Sequence, residues 1–330
     1  MTNDMGRVLV TGATGFVGLE VARRLCARDL VPRLLVRRPL RGALLASLGA
    51  ELMQGDLESP ESLTRAVQGI DTVIHLGARA IFEEYSLVRP TIVDGSVALM
   101  RACVAAGVRR FVYASSLLVY QGQEAAVDQH TPAFTRHGYG RAKIEAERAL
   151  SGLAGQAGID LAVLRLPHVY GVRDLMFAQV RRGLVFFPGN GRNLFAHMHV
   201  DDAARLLIAA AETGWTGISP VADDLPVNWN DFFAEIKKYY PRFRSIGTPE
   251  SLALLGTSML TPIRRLSRYP SLYTPDAVRG WNVNLTVKRG LVWDDLKMAP
   301  KYPSVYQGIP AVIDDCLEFH WVHPVADRVG

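Results

Sequence analysis

Cysteine is scarce in this chain of 330 residues, and the three present, Cys26, Cys103 and Cys316, lie far apart. An odd, scattered set outlines neither a disulfide framework nor the paired spacing of a zinc site, so a reducing cytoplasm is the expected compartment. Cys26 and Cys103 also fall within apolar helical patterns, where a thiol behaves as a small buried hydrophobe. Long apolar runs are missing too. A bilayer span needs about 20 consecutive apolar residues, and the longest apolar-rich stretch, around Ser251 to Ile263, is shorter. The opening Met-Thr-Asn-Asp-Met-Gly-Arg lacks the apolar stretch of a signal peptide. Repeats and low-complexity tracts are absent. Charge of one sign is nowhere concentrated: the net +5 comes from arginines spread along the whole chain, which argues against nucleic acid as a partner.

What is present is an alternation of short apolar runs with helix-period segments, the pattern of a parallel sheet covered on both faces. Strands are expected at Val8 to Val10, Leu34 to Val36, Glu51 to Gln54, Thr72 to Leu76, Arg110 to Ala114 and Leu161 to Leu166. Helical periodicity runs through Phe16 to Ala27, Ser62 to Val67, Ser96 to Ala106 and Tyr139 to Leu153. The fold class read from this is α/β, a doubly wound parallel Rossmann-type sheet over residues 1–166. After Pro167 the pattern breaks into Gly- and Pro-rich pieces, so residues 167–330 read as a smaller, irregular substrate lobe. Two good helices interrupt it. Asp202 to Ala211 is expected to return to the sheet, capped by Asp201, and Asp231 to Tyr240 has Asn228 or Asn230 as its cap.

Thr11-Gly12-Ala13-Thr14-Gly15-Phe16-Val17-Gly18 follows the first strand and opens the first helix, where a phosphate-binding turn belongs. Gly12 permits the tight turn, Gly15 lets the backbone approach a pyrophosphate, and Gly18 lets the helix pack on the strand. Thr14, Phe16 and Val17 are then cofactor contacts by position. Tyr139 and Lys143 stand four apart on a helix and share a face, so they can address one bound molecule. A tyrosine is a poor base near neutrality, with a pKa of about 10. An adjacent ammonium favours the phenolate and brings the phenol toward working pH. Ser116, at the end of a central strand, can hydrogen-bond a substrate oxygen.

The Gly-x-x-Gly-x-x-Gly spacing resembles the short-chain dehydrogenase/reductase superfamily, and the Tyr139-Gly140-Arg141-Ala142-Lys143 run matches its Tyr-x-x-x-Lys pair. Phe111 to Tyr120 closely resembles the fifth strand of the extended branch, with Ser116, three residues before Val119-Tyr120, at the catalytic position. The resemblance covers nearly the whole chain. It implies that Asp56 and Leu57 contact adenine, that Leu76, Gly77 and Ala78 lie beside the cofactor ribose, and that Ala114 also contacts the cofactor. Lys143 would also hold the nicotinamide ribose, and Pro167, His168 and Val169, in a segment similar to the branch's Arg-Pro-x-x-x-Tyr-Gly, would pass near the nicotinamide. Phe82, Leu117, Phe186 and Phe195 join Ser116 and Tyr139 as candidate substrate contacts. Arg37 and Arg38 follow Val36, where an NAD-selective sheet carries an acid, so NADP(H) is expected to be preferred, with NAD(H) possible.

Two departures carry information. Ile92 stands where the extended branch has an asparagine that organises the active site. Phe195 stands where its nucleotide-sugar enzymes carry a pyrophosphate-gripping arginine, although Arg192 is close enough in sequence to compensate. His197 and His199 share a strand face, but no third ligand is implied, so no metal is expected. The resemblance thus implies an oxidoreductase that interconverts a secondary alcohol and a ketone on a largely apolar, sterol-like or lipidic substrate, in the manner of 3β-hydroxysteroid dehydrogenases. A nucleotide-sugar epimerase or dehydratase is the alternative. A non-catalytic dinucleotide sensor is a third, disfavoured by the intact Ser116, Tyr139 and Lys143. A homodimer is implied. The 251–268 segment, with Arg264, Arg265 and Arg268 behind its apolar front, resembles the apolar insertion of the steroid dehydrogenase-like branch, which implies that it lies over the pocket or touches a membrane surface; otherwise Leu252, Leu254, Leu255 and Met259 complete the small lobe's core.

Overall fold

The computed structural model describes residues 5–79, 82–266 and 274–318. Thirteen strands and thirteen α-helices are described. The first half runs β1 (Val8–Thr11), α1 (Phe16–Cys26), β2 (Arg33–Val36), α2 (Ala43–Ser47), β3 (Glu51–Gln54), α3 (Pro60–Ala66), β4 (Thr72–His75), α4 (Tyr85–Arg89), α5 (Gly95–Ala106), β5 (Arg110–Ser116), α6 (Gly138–Ala157) and β6 (Asp160–Leu166). The second half runs β7 (His168–Tyr170), α7 (Leu175–Arg182), β8 (Leu184–Pro188), β9 (Leu194–Phe195), β10 (His197–His199), α8 (Val200–Thr213), β11 (Gly217–Pro220) and β12 (Val227–Asn228). It ends with α9 (Trp229–Tyr239), β13 (Arg244–Thr248), α10 (Glu250–Leu266), α11 (Pro275–Trp281), α12 (Val292–Asp295) and α13 (Val305–Glu318).

Seven strands form one parallel sheet in the order β11-β6-β5-β4-β1-β2-β3. Strands β1, β2 and β4 are buried along their whole length, which is why they read as continuous apolar runs instead of alternating ones. One face of the sheet packs on α1 and α8 through Val21, Leu25, Leu206 and Leu207. The other packs on α3, α5 and α6 through Leu63, Leu99, Met100, Ala146 and Leu150. Chain order reverses between β1 and β4, and there Thr11 pairs in register with His75, so the two turns that follow flank one crevice.

The seventh strand, β11, comes from the half that reads as irregular; at four residues including a glycine and a proline it carries almost no strand signal. The rest of that half builds three two-stranded sheets, β10 with β7, β12 with β9 and β13 with β8, around a separate aromatic core. The cap of α8 differs from the expected Asp201: His199 is the N-cap, its Nδ1 accepting from the Asp201 backbone N–H. Asp201 lies in the first turn, where its carboxylate pairs with Arg24 and Lys301. Asn228, not Asn230, caps α9 by accepting from the Asp231 N–H. On α10, Leu252, Leu255 and Met259 are exposed and Leu254 half-buried, so the first three do not complete a core. Arg268 lies outside the described residues.

Candidate active site

At the crevice, Gly12 has a φ of +73°, and a Cβ there would sit 2.7 Å from the Leu76 carbonyl, so only glycine lets the β1 and β4 turns touch. Gly15 donates its N–H to the Gly12 carbonyl at 2.8 Å, closing the turn, and Gly18 packs on that same carbonyl. Helix α1 begins at Phe16 with no side-chain cap, so its first N–H groups, in the run Phe16-Val17-Gly18, are not claimed by any capping side chain. An uncapped helix N-terminus behind a glycine turn suits a pyrophosphate. Thr14 is exposed beside it.

Beyond β2, Arg37 and Arg38 are exposed. Arg37 lines an open depression with Gln54, Gly55, Asp56, Ser59, Ser62 and Arg65. The Ser62 hydroxyl, accepting from the Asp56 N–H at 3.0 Å and donating to the Ser59 carbonyl, holds this rim in shape. Leu57 is buried under Gly77 and Gly95. Arg65 is a second cation at the depression that the sequence reading passed over; its helical register with Ser62, three residues earlier, is the signal that could have found it.

Strand β5 delivers two serines with different fates. Ser115 is buried and donates its hydroxyl to Glu147. Ser116 is half-buried, and its Oγ accepts from the Leu118 N–H at 3.2 Å, capping a short turn over Leu117–Val119. Gly140 lets α6 press on that turn, since a Cβ there would collide with the Leu118 carbonyl. This close approach sets the first turn of α6, with Tyr139, against the strand end that carries Ser116.

One turn along α6, the buried Lys143 donates from Nζ to the Ala114 carbonyl at 2.7 Å. Its ammonium lies 4.5 Å from the Tyr113 ring centroid and 5.8 Å from that of Tyr139. Burial lowers the Lys143 pKa to about 7, partly opposed by the Glu147 carboxylate. Burial likewise pushes the Tyr139 phenol up. Left to itself the tyrosine is therefore a protonated acid, and reaching phenolate requires a nearby positive charge.

Below this pair lies an ion pair that sequence reasoning missed. Arg165 grips Glu147 through Nε (3.1 Å) and Nη2 (2.7 Å) and donates from Nη1 to the Tyr120 hydroxyl at 2.6 Å. Both charged side chains are buried. Glu147 follows Lys143 by four residues, so the face shared by Tyr139 and Lys143 pointed at it. Together they join the ends of β5 and β6 to α6.

Among the expected substrate contacts, Phe82 meets the Tyr139 ring edge-on at 5.7 Å, and its carbonyl accepts from the Thr274 hydroxyl at the start of α11. Leu117 is buried beneath the Ser116 turn, and Phe186 is exposed on β8. Phe195 is buried in a stack with Trp229 and His197. Pro167 and Val169 are half-buried, and His168 between them bonds His197, Nδ1 to Nδ1, at 3.0 Å. His197 Nε2 donates to the Val227 carbonyl at 3.0 Å, so its Nδ1 accepts from His168. Among the described residues no group of three or more His, Cys, Asp or Glu side chains is arranged to hold a metal ion, and no helix is long and apolar enough to cross a membrane.

Several known proteins resemble this chain. The chain is 34% identical over 193 residues to a 3-beta-hydroxysteroid dehydrogenase of Mycolicibacterium neoaurum, an alignment covering 54% of this chain and 52% of that protein. It is 33% identical over 288 residues to a 3 beta-hydroxysteroid dehydrogenase/Delta 5-->4-isomerase of Mycobacterium tuberculosis, covering 79% and 77% respectively. The solved structure of MoeE5 in complex with UDP-glucose and NAD superposes with a TM-score of 0.76 at 24% identity, over 96% of this chain and all of that one, a likeness of fold. Residues 8–220 match the model of the NAD dependent epimerase/dehydratase family, so the chain belongs to that family, within the extended short-chain dehydrogenase/reductase superfamily.

Proposed function

We propose that this enzyme interconverts a secondary alcohol and a ketone on a largely apolar, sterol-like or lipidic substrate, using a nicotinamide dinucleotide. The observation that carries the reading is the Lys143 ammonium, anchored on the Ala114 carbonyl one helical turn below Tyr139, beside a strand end that offers Ser116. The dinucleotide fits the turn at Gly12, Thr14, Gly15 and Gly18, the uncapped start of α1 at Phe16 and Val17, the rim at Asp56 and Leu57, and the β4 turn at Leu76, Gly77 and Ala78. When bound, it supplies the hydride donor or acceptor. Tyr139 Oη exchanges the proton with the substrate oxygen, Ser116 Oγ orients that oxygen and steadies its developing charge, and Lys143 favours the tyrosinate and holds the ribose. Pro167, His168 and Val169 border the nicotinamide end.

Several finer features belong to the same reading. Arg37, helped by Arg65 across the rim, favours NADP(H) over NAD(H). Residues 1–166 with α8 and β11 bind the cofactor, and the remaining lobe binds substrate. The exposed apolar side chains of α10 support shallow contact with a membrane surface from the cytoplasm. The enzyme is a homodimer. The second reading, a nucleotide-sugar epimerase or dehydratase, is favoured by the fold shared with a UDP-glucose complex. Against it stands Phe195, packed into an aromatic stack where such enzymes place an arginine. The test offers the protein hydroxysteroids and lipidic ketones beside UDP- and dTDP-sugars, following nicotinamide absorbance and sugar isomer composition. Net redox on apolar compounds is expected; sugar conversion without net cofactor change, and silence on every apolar compound, would reverse the order of the two readings.

A further inference from the structure

Two residues before Tyr139 stands a buried titratable side chain to which the catalytic reading gives no task. His137 precedes α6 in extended backbone, and only 3% of it is exposed. Neither ring nitrogen has a hydrogen-bond partner among the described residues. Burial lowers the His137 pKa; Asp276 opposes the shift and Arg279 adds to it, so the ring is neutral near pH 7. A neutral imidazole carries one donor and one acceptor, and buried polar atoms are almost always paired, because one left alone forfeits the bonds it made in water. The fold therefore carries a donor and an acceptor that it does not use itself.

The ring lies where three elements of the site converge. The N–H of Gly138, next in sequence, donates to the Asp276 carboxylate at 2.7 Å, which pins the start of α6 to α11. Thr274, the cap of α11, holds the Phe82 carbonyl, and the Phe82 ring meets Tyr139. Near the other end of α11, a Cβ on Gly280 would stand 3.6 Å from Leu118 Cδ2, 3.9 Å from His137 Cε1 and 4.0 Å from His137 Nε2, with nothing from outside its own helix nearer. The side chain that Gly280 lacks thus leaves room for a group of methyl size against Nε2. Leu118 borders that space, and its N–H is the one that Ser116 Oγ accepts, so the space lies beside the strand end assigned to the reacting oxygen.

We propose that His137 is a substrate-specificity residue: its Nε2 takes a second oxygen of the substrate, a hydroxyl seated between Gly280 and Leu118 near the reacting carbon. This rests on the alcohol–ketone reading of the site and narrows its substrate to apolar ketones and alcohols that bear one further hydroxyl. A hydroxyl serves Nε2 in either tautomer, accepting from the N–H or donating to the bare nitrogen, whereas an ether or ketone oxygen serves only one. A lipid with no second oxygen would leave the imidazole without a partner in the closed complex, and a site built to bond a hydroxyl discriminates against such a molecule.

The test measures kcat/KM of the full chain, with NADH and with NADPH, for methyl decyl ketone and androstanone, each beside derivatives carrying one added hydroxyl near the carbonyl. Wild type is expected to favour a hydroxylated member over its parent by about tenfold, the scale of one hydrogen bond. His137→Leu removes both nitrogens, so that preference should vanish while the melting temperature rises, two unpaired polar atoms having been removed from the interior. Gly280→Ala keeps the imidazole and fills the space at ordinary contact distance with a residue that helices favour, so the preference should vanish with no loss of stability. A wild type that reduces the parent ketones without preference, or a preference that survives either substitution, would overturn this proposal alone. A His137→Leu that melts below wild type would overturn it too, because the nitrogens would then serve the fold. A wild type that oxidises neither nicotinamide with any member of either series would overturn the alcohol–ketone reading and the proposal with it.

Discussion

The sheet half and the aromatic lobe place their buried polar groups by different means. In the sheet half, Thr11, His75, Ser96, Ser115, Lys143, Glu147 and Arg165 are buried and bonded to one another or to backbone. In the lobe, Trp229 and Trp281 stack at 4.3 Å, Phe232 lies on His197 at 5.1 Å, and both indole N–H groups find no partner among the described residues. Directional bonds hold atoms to tenths of an ångström, which suits a cofactor of fixed shape. Ring packing fills volume with little angular demand, which would suit the substrate-binding role proposed for the lobe. The sheet half therefore leans more on directional bonds and the lobe more on ring packing, although the lobe keeps its own bonded run from His168 through His197 to the Val227 carbonyl.

The sharpest way to break that contrast is at Tyr139. Tyr139→Phe keeps the ring against Phe82 and removes only the oxygen proposed to exchange the proton. Turnover is expected to drop by about 10²- to 10⁴-fold, the usual worth of a general acid-base group. Dinucleotide affinity, measured by titration, should hardly move. Near-wild-type turnover would remove Tyr139 from the mechanism.

Next in size is the buried pair. Glu147→Gln leaves Arg165 charged, buried and short of its partner, a loss of about 3–5 kcal/mol when one member of such a pair is removed. In the lobe, the fully buried Leu285 replaced by Met should cost under about 1.5 kcal/mol, because a thioether adapts to a packed aromatic surround. Urea unfolding of the two variants reads both numbers. Equal losses would mean that the two halves are held together in the same way.

The comparison also has a pH signature. Burial holds His75 down to about 3, assisted by the Lys143 charge, and holds His199 down to about 3, assisted by Lys301 and Arg24. A histidine whose folded value lies below its unfolded value of about 6.5 contributes stability fully above that value and loses it as pH falls toward 3. At pH 5 each withholds about 2 kcal/mol relative to neutral pH. Asp223 goes the other way. Burial and the neighbouring Asp224 and Asp202 raise its carboxyl, so its contribution is intact at low pH and is lost as pH rises through the folded value. Asp223→Asn should therefore stabilise the protein at neutral pH and do little at pH 4, while His75→Gln should flatten the acid limb. Denaturation midpoints across pH 4 to 8 decide both.

Much of the sheet half was legible because its signals are local. A glycine turn between strand and helix, apolar runs too short for helices, and a Tyr-Lys pair at helical spacing each declare themselves within a few residues. Strands β1 to β6 lie close to where the apolar runs put them, and burial along the whole of β1, β2 and β4 leaves those three little alternative composition. What escaped was long-range. The partner of Glu147 is 18 residues away and that of Thr11 is 64, distances at which no periodicity operates. Strand β11 has only four residues, and its place is decided by pairing with β6. The cap of α8 misled because Asp201 is the better capping residue type, yet the imidazole of His199 stands two residues before the N–H that needs an acceptor.

The smallest expected effect concerns which dinucleotide the sheet half prefers, and it tests how far its precision extends. Val36 ends β2 where a carboxylate would exclude a 2′-phosphate, and the two arginines that follow are exposed. An exposed cation alone contributes little, because water and salt screen it. Arg37, however, shares its depression with Arg65 from α3, so a phosphate placed there meets two cations from different elements. Charge-assisted bonds of this kind should favour NADPH over NADH by about tenfold at low salt under the proposed reading. Removing Arg37 together with Arg38 should erase most of that ratio and leave NADH affinity unchanged, and Arg65→Ala alone should erase part of it. Raising the salt concentration should shrink the wild-type ratio but leave the turn at Gly12, proposed to bind through backbone N–H groups, nearly indifferent. If the double variant keeps the wild-type ratio, the arginines are solvated surface, and the ordered part of the crevice ends at Val36.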